Sequence, residues 1–464
     1  MSEVCNPGDR SIEAFSEDSL RRLVEGMRAE AGSLDPEARM AILERILKLI
    51  EESEDQILDA LESDFGKPRI EAWLAEVLFV KTELKYILKR LKGWARPRRA
   101  GHPFYFLPAR SEVRREPFGV VLVMAPWNYP LQLALSPAIA AIAAGNSVVI
   151  KPSELAPATA AVLERIIRKS ASPRLVAVVC GDAAVGERLL EQDFDFYFFT
   201  GGERVGRLVA KAAAERMVPC VLELGGKSPA VIHSSTELDI AVERIVLGKF
   251  FNAGQTCMAP DFVMVPEALL PKFRARIRQV LDETYGKEGA EIARCVHEGQ
   301  RDRVLALVAD DAEQVGEDGP HSLQLAPRWA VVDWEHPSMQ EEIFGPLLPV
   351  VTYPSDDDCL GRLADLPSPL ALYLFSGDAD FSERAMRVMR SGSVCINDVM
   401  KQATNLELPF GGVGASGHGR YRGKAGFDVF SYERSVTRRF MIRDLFQLKP
   451  PYGNLLETMR RWIR

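Results

Sequence analysis

From Val120 onward the chain alternates short, largely apolar runs with longer helical ones, and few architectures accept that rhythm. The runs Val120 to Met124, Ser147 to Ile150, Leu175 to Val179, Phe194 to Phe199 and Val218 to Leu222 are separated by Ala-rich segments of helical period. A strand that is apolar on both sides needs cover on both faces. Helices between consecutive strands supply it, which is the pattern of a parallel sheet. A second series follows at Ala230 to Ile232, Phe262 to Val265, Leu348 to Val351 and Leu370 to Phe375. The sequence therefore predicts two doubly wound α/β domains meeting near Gly225-Gly226, for which 464 residues are ample.

What precedes the first strand reads differently. Residues 17 to 93 carry helical spacing: Asp35 caps Pro36 at a first helical position, Ser53 opens a helix that Gly66 closes, and a third presents Leu74, Val77, Leu78, Leu84, Ile87, Leu88 and Leu91 on its apolar side. From Ala95 to Glu116 the texture turns to Pro, Arg and aromatics, including Phe104, Tyr105 and Phe106, as in an extended arm.

Charge and cysteine usage then remove whole classes of function. A net charge of −7 argues against a nucleic-acid surface, which demands clustered positive charge, and the one basic knot, Arg96 to Arg99, is short and reads as a solvated linker. Seven cysteines, with no CxxC spacing, argue against a disulfide framework or a zinc site and fit a reducing cytoplasm. No run of about 18 apolar residues appears, so no membrane span is expected. Six histidines form no HExxH or HxxxH pair, so an enzyme built on this chain is expected to work without a protein-bound metal.

Chemistry is expected at Asn252-Ala253-Gly254-Gln255-Thr256-Cys257, just past a helical run from Ile240 to Phe251 that Gly254 stops. Cys257 is either a nucleophile presented into a cleft or a small buried hydrophobe. Glu223 is a carboxylate at an apolar strand end, which reads as a general base or as half of a buried ion pair. Asn128, between Pro126-Trp127 and Tyr129-Pro130, offers an amide to an oxyanion or caps a turn. Thr200-Gly201-Gly202 to Gly206 follows a strand and opens a helix, where a pyrophosphate can meet backbone N–H groups. Lys151 and Glu154, past another strand end, can reach an adenosine ribose or form an exposed pair. Two patterns are decoys. Gly412 to Gly417 spells GxGxxG without a preceding strand, and Gly226-Lys227-Ser228 lacks the first glycine of a P-loop because Val221 occupies it.

Taken together and in order, Pro126-Trp127-Asn128, Lys151-Pro152-Ser153-Glu154, Phe199 to Gly206, Glu223 to Lys227, Gly254 to Cys257, Glu341-Glu342-Ile343-Phe344-Gly345-Pro346 and Pro409 to Gly412 resemble the NAD(P)-dependent aldehyde dehydrogenases. Asn397-Asp398-Val399, Gly423-Lys424 and Phe427 to Ser431 make the chain most similar to the class-3 branch, which oxidises fatty and aromatic aldehydes. The resemblance runs from about residue 20 to about residue 445. It implies that Cys257 attacks the aldehyde, Asn128 and the Cys257 N–H hold the oxyanion, and Glu223 activates water. It assigns Lys151 and Glu154 to the adenine ribose and Gly201, Gly202 and Gly206 to the pyrophosphate. Glu342 and Phe344, with Trp127 nearby, fall to the nicotinamide. NAD is the expected cofactor, NADP being possible, and no metal is implied. It also divides the chain into N-terminal helices (1–94), a bridging arm (95–116), a cofactor domain (117–224), a catalytic domain (225–408) and a returning segment (409–464), of which Phe427 to Leu448 with the arm is expected to pair two subunits as a homodimer. Transfer of the acyl group to coenzyme A and cofactor-free ester hydrolysis through Cys257 stay open as other chemistries.

Overall fold

A computed structural model describes residues 16–103, 108–286, 291–319, 321–441 and 450–462. Phe104, Tyr105 and Phe106 of the expected arm, and residues 442–449 of the returning segment, lie outside them.

Both expected parallel sheets are present. The first runs, in spatial order, Gly417–His418, Cys220–Glu223, Phe196–Thr200, Val120–Met124, Ser147–Lys151 and Val176–Val178. All its neighbours are parallel except the two-residue strand at 417–418, which lies antiparallel to Cys220–Glu223 with Gly417 opposite Glu223. Every residue of Val120–Met124, Ser147–Lys151 and Phe196–Thr200 is buried. The helix Gln132–Ala144 on one face is buried along its whole length. The second sheet runs Glu313–Gln314, Arg328–Val331, Leu347–Tyr353, Phe262–Pro266, Pro229–Ile232, Ala371–Phe375 and Ser393–Ile396, with only the first of these antiparallel. A third, antiparallel sheet joins Arg98–Ala100 and Ala109–Pro117 to Ser431–Arg439, so the arm and the returning segment do pair.

The GxGxxG stretch is a packed loop. A Cβ on Gly412 would stand 1.8 Å from the Ser416 carbonyl oxygen, so the chain closes on itself and Gly417 is delivered to the Glu223 strand end. Cys180 is disulfide-bonded, which the spread of cysteines did not suggest. No helix among the described residues is long and apolar enough to cross a membrane.

Among the N-terminal helices, Asp35 accepts the Ala38 N–H at 2.8 Å, and the helix Glu54–Phe65 ends on Gly66 at φ 55°. The third helix departs from the sequence expectation. It is Arg69–Ala72 and Phe79–Trp94 joined through a π-helical turn, Trp73–Leu78. An extra residue in one turn breaks the 3.6-residue register. Val77, Leu84, Ile87 and Leu91 stay in the core, but Leu74, expected among them, is 44% exposed. Ile240, expected on the packed face of its helix, is likewise 50% exposed. Both side chains border the cavity described next.

Candidate active site

The backbone ahead of Cys257 is bent by three successive left-handed residues, Asn252 and Ala253 at φ 53° and Gly254 at φ 72°. Such a run costs on the order of 1 kcal/mol or more per non-glycine residue and persists only where its surroundings dictate it. Here they do. Glu71 accepts the Asn252 N–H at 2.8 Å. Gln255 donates to the carbonyls of Asn252 and Arg294 at 3.1 and 2.9 Å and accepts the Val296 N–H at 3.2 Å. At Gly254 only glycine fits, because a Cβ would lie 2.3 Å from the Gly345 carbonyl oxygen. The result presents Cys257, half-buried, to a cavity of about 820 Å³.

That cavity also receives Glu223. Its walls are apolar, with Leu78, Phe79, Leu133, Leu247 and Phe251 among them, and Glu243, Arg244, Asp398 and Lys401 add charge to the lining. Glu223 is 3% exposed and neither of its carboxylate oxygens has a hydrogen-bond partner. Burial holds its carboxyl well above the ordinary carboxylate range, against the pull of the Arg422 and Arg420 charges. The ion-pair alternative for Glu223 therefore does not describe it. Thr200 Oγ1, on the same wall, is also buried without a partner.

Asn128 sits elsewhere than expected. Its amide does not line the cavity; it is 4% exposed and donates to the Gln255 carbonyl at 3.0 Å, two residues before Cys257. An amide nitrogen carries two N–H groups, so this contact occupies one and leaves the other.

Burial also pushes the Cys257 thiol up to about 12, with the Glu342 and Glu223 carboxyls adding to the rise and Arg422 opposing it. In this arrangement the sulfur is a protonated thiol at neutrality. Because only the thiolate reacts, alkylation of Cys257 by iodoacetamide without cofactor is expected to be slow at pH 7 and to rise about tenfold per pH unit. In Arg422→Met it should be slower still. Peptide mapping of the alkylated site checks both, and a rate flat from about pH 7 to 9 would contradict the environment described.

The expected cofactor residues cluster at strand ends and turns. Lys151 closes the strand Ser147–Lys151, is buried, and donates to the Pro152 carbonyl at 3.2 Å and to Glu154 at 3.1 Å. Gly202 begins the helix Glu203–Arg216 with no side-chain cap and nothing within 4 Å of its would-be Cβ. The first turn of that helix is thus left uncapped by any side chain, a setting suited to a phosphate. Gly206 lets Leu224 approach to 2.8 Å of where a Cβ would be. Gly201 does the same for the Phe199 ring at 2.6 Å. Glu342 fills the space beside Gly225, its carboxyl raised to about 8 by burial and the Asp261 charge while the Gly226 N–H works against the shift. Trp127 stands edge-on to Phe344 at 5.4 Å. The donor set therefore fits a nicotinamide dinucleotide.

Three charged residues at the site were missed from the sequence. Lys249 is fully buried with an unpartnered Nζ, lowered to about 8 by burial. Arg422, on the cavity wall at φ 73°, donates to the Ala403 carbonyl and lies 4.2 Å from the Phe410 ring centre. Glu71 grips Asn252 as described. Only Lys249 left a signal, a lysine in the otherwise apolar last turn, Val246 to Phe250, of its helix.

Comparison with known proteins agrees with this geometry. The family model described as the aldehyde dehydrogenase family matches residues 11–436. A 4,4'-diaponeurosporen-aldehyde dehydrogenase of Staphylococcus aureus is 39% identical over 430 residues, 91% of this chain and 94% of its own. Aldehyde dehydrogenase family 3 member H1 of Arabidopsis thaliana is 39% identical over 90% of this chain and 88% of its own. Among solved structures, the substrate-bound state of Staphylococcus aureus AldH superposes with a TM-score of 0.91 at 35% identity, covering 98% of this chain and 100% of that one. An indole-3-acetaldehyde dehydrogenase complexed with NAD+ reaches 0.83 at 26% identity, covering 91% and 89%. A family model spanning residues 11–436 and relatives 39% identical over nine-tenths of the chain place it plainly: the protein belongs to the aldehyde dehydrogenase family and is an NAD(P)-dependent oxidoreductase that turns aldehydes into acids.

Proposed function

We propose that the substrate is a medium- or long-chain aliphatic or aromatic aldehyde, oxidised through a thioester on Cys257. The observation that carries this reading is the apolar cavity running from Leu74 and Ile240 at its exposed edge to Cys257 and Glu223. The Cys257 thiol first gives its proton to water, Sγ then adds to the carbonyl carbon, and the charge that develops on oxygen is met by the Cys257 N–H and by the second N–H of the Asn128 amide, which turns from behind the cysteine loop to reach it. Bound NAD supplies the hydride acceptor. Glu223 then takes a proton from a water molecule, whose oxygen displaces the sulfur and releases the acid. Glu223 is suited to this because a carboxylate stripped of hydrogen bonds is a strong base.

For the cofactor, the uncapped turn at Gly202 with Gly201 and Gly206 would hold the pyrophosphate. Lys151 and Glu154 would hold the adenosine ribose, and Glu342, Phe344 and Trp127 the nicotinamide end. NAD is favoured over NADP because Glu154 would repel a 2′-phosphate and the Lys151 charge is already paired with it. Pairing of the strands Ala109–Pro117 and Ser431–Arg439 supports a homodimer formed through that sheet. The division into arm, cofactor and catalytic domains near Gly225 follows the same reading.

An aldehyde panel with each nicotinamide tests this. Since each buried methylene contributes about 0.8 kcal/mol, kcat/KM should climb about threefold to fourfold per added carbon until the cavity is filled. Equal rates for short and long aldehydes, or no reduced nicotinamide from any, would refute it.

A further inference from the structure

Two charged side chains of the N-terminal helical layer reach the Asn128 segment behind the cysteine loop, and nothing in the chemistry above uses them. Lys67, in the turn after Gly66, and Glu76, inside the π-helical turn, have no exposed side-chain surface and meet at 2.9 Å. Lys67 Nζ also donates to the Asn128 carbonyl at 2.9 Å and lies 4.4 Å from the Tyr129 ring centre. The second oxygen of Glu76 accepts the N–H groups of Leu131 and Gln132 at 3.0 and 2.9 Å. The segment 128–132 is therefore gripped at both ends by one ion pair.

Its other side faces the cysteine loop. The Asn128 amide donates to Gln255, Asn252 donates to the Asn128 carbonyl at 3.1 Å, and the Tyr129 hydroxyl meets Thr256 Oγ1 at 2.6 Å. The segment is thus held between the buried pair and the residues just before Cys257. Burying two charges is costly, and an apolar pair of similar volume would serve stability as well or better. What an apolar pair cannot do is direct hydrogen bonds at chosen peptide groups. Here they are directed at the peptide that carries the Asn128 side chain and at the first N–H groups of the following helix.

We propose that Lys67 and Glu76 are positioning residues for aldehyde addition, fixing the Asn128 peptide against the cysteine loop so that its amide stays one hydrogen bond from that loop, within a side-chain turn of the substrate oxygen on which negative charge develops. The proposal rests on the reading of Asn128 as an oxyanion donor. Lys67 and Glu76 touch neither substrate nor cofactor; they act through Asn128. The π-helical turn ties them to specificity as well, because its Leu74, Ala75 and Leu78 form part of the cavity wall while its Glu76 holds the loop.

A double-mutant cycle in the full-length protein tests this. The variants are Asn128→Ala, the charge-free pair Lys67→Met/Glu76→Met, and all three changes together. The readout is the single-turnover rate of reduced-nicotinamide formation at saturating aldehyde and NAD+, beside the thermal midpoint and the NAD+ dissociation constant. Asn128→Ala should slow the turnover about 100-fold or more. The charge-free pair should slow it about 10- to 100-fold with NAD+ affinity unchanged. Added to Asn128→Ala, the same pair should cost less than about threefold, because the group it positions is already gone. A pair that costs the same factor with and without Asn128, or that turns over within about twofold of the parent, overturns the positioning role and leaves the oxyanion reading standing. A silent Asn128→Ala overturns both. Should the charge-free pair not fold, Glu76→Gln, which keeps the shape and one acceptor oxygen, enters the same cycle under the same criteria.

Discussion

Replacing Cys257 by serine is expected to lower aldehyde oxidation on the order of 10⁴-fold or more while the thermal midpoint stays within a few degrees of the parent. Cys257 is half-buried and the loop ahead of it is set by Glu71, Gln255 and the Gly254 turn through hydrogen bonds that do not involve the thiol. Serine therefore fits without a cavity or a clash. Its hydroxyl is a far weaker acid than even a thiol pushed up by burial, and no histidine lies among the residues of the cavity to take its proton. NAD+ affinity, measured by fluorescence titration, should be unchanged because no cofactor residue is altered. Retention of even a tenth of the parent activity would place the chemistry on another group.

The change Glu223→Gln is expected to separate the two halves of the reaction. Addition and oxidation need no carboxylate at that position, so mixing the variant with aldehyde and NAD+ should give a burst of reduced nicotinamide equal to the number of sites. Steady-state turnover should then be lower by about 10²- to 10⁴-fold, the usual contribution of a general base. In the parent, the hydrolytic limb should rise with pH as the Glu223 carboxyl, held above its ordinary range by burial, ionises; in Glu223→Gln that rise should vanish. The same shift carries a stability consequence of definite sign. A carboxyl whose folded pKa lies above its unfolded value binds its proton more tightly when folded. Its contribution is favourable at low pH and is lost as pH climbs through the raised range. Glu223→Gln should accordingly melt at or above the parent temperature at pH 8, a site built for reactivity at the expense of stability.

How much of this could be read beforehand follows from the kind of force involved. The strand runs and their order were legible because a strand buried on both faces is apolar at most positions, Ser147, Lys151 and Thr200 standing only at strand ends. The cap at Asp35 and the stop at Gly66 were legible because they act within four residues. Leu74 and Ile240 were misplaced for one reason. Apolar spacing marks a side chain that avoids water but does not say whether it faces the core or an open cavity of about 820 Å³. The π-helical turn at Trp73–Leu78 has no sequence signature in the period, since the extra residue shows only as a phase slip between two good helical runs. Asn128 was named from its neighbours, but where its amide points is decided by the carbonyl of a residue 127 positions away. Lys67, Glu76 and Arg422 were invisible because a charged residue in a sequence reads as surface until its partner is known.

The measurement that bears most directly on all of this is the mass of Cys257 in the Glu223→Gln variant, quenched in acid after one exposure to NAD+ and an aldehyde of known mass. A thioester formed by oxidation adds the mass of the aldehyde less two hydrogen atoms, at that one cysteine, in an amount matching the burst. Aldehyde oxidation that proceeds with Cys257 unmodified, or with the acyl group on another residue, would contradict the account.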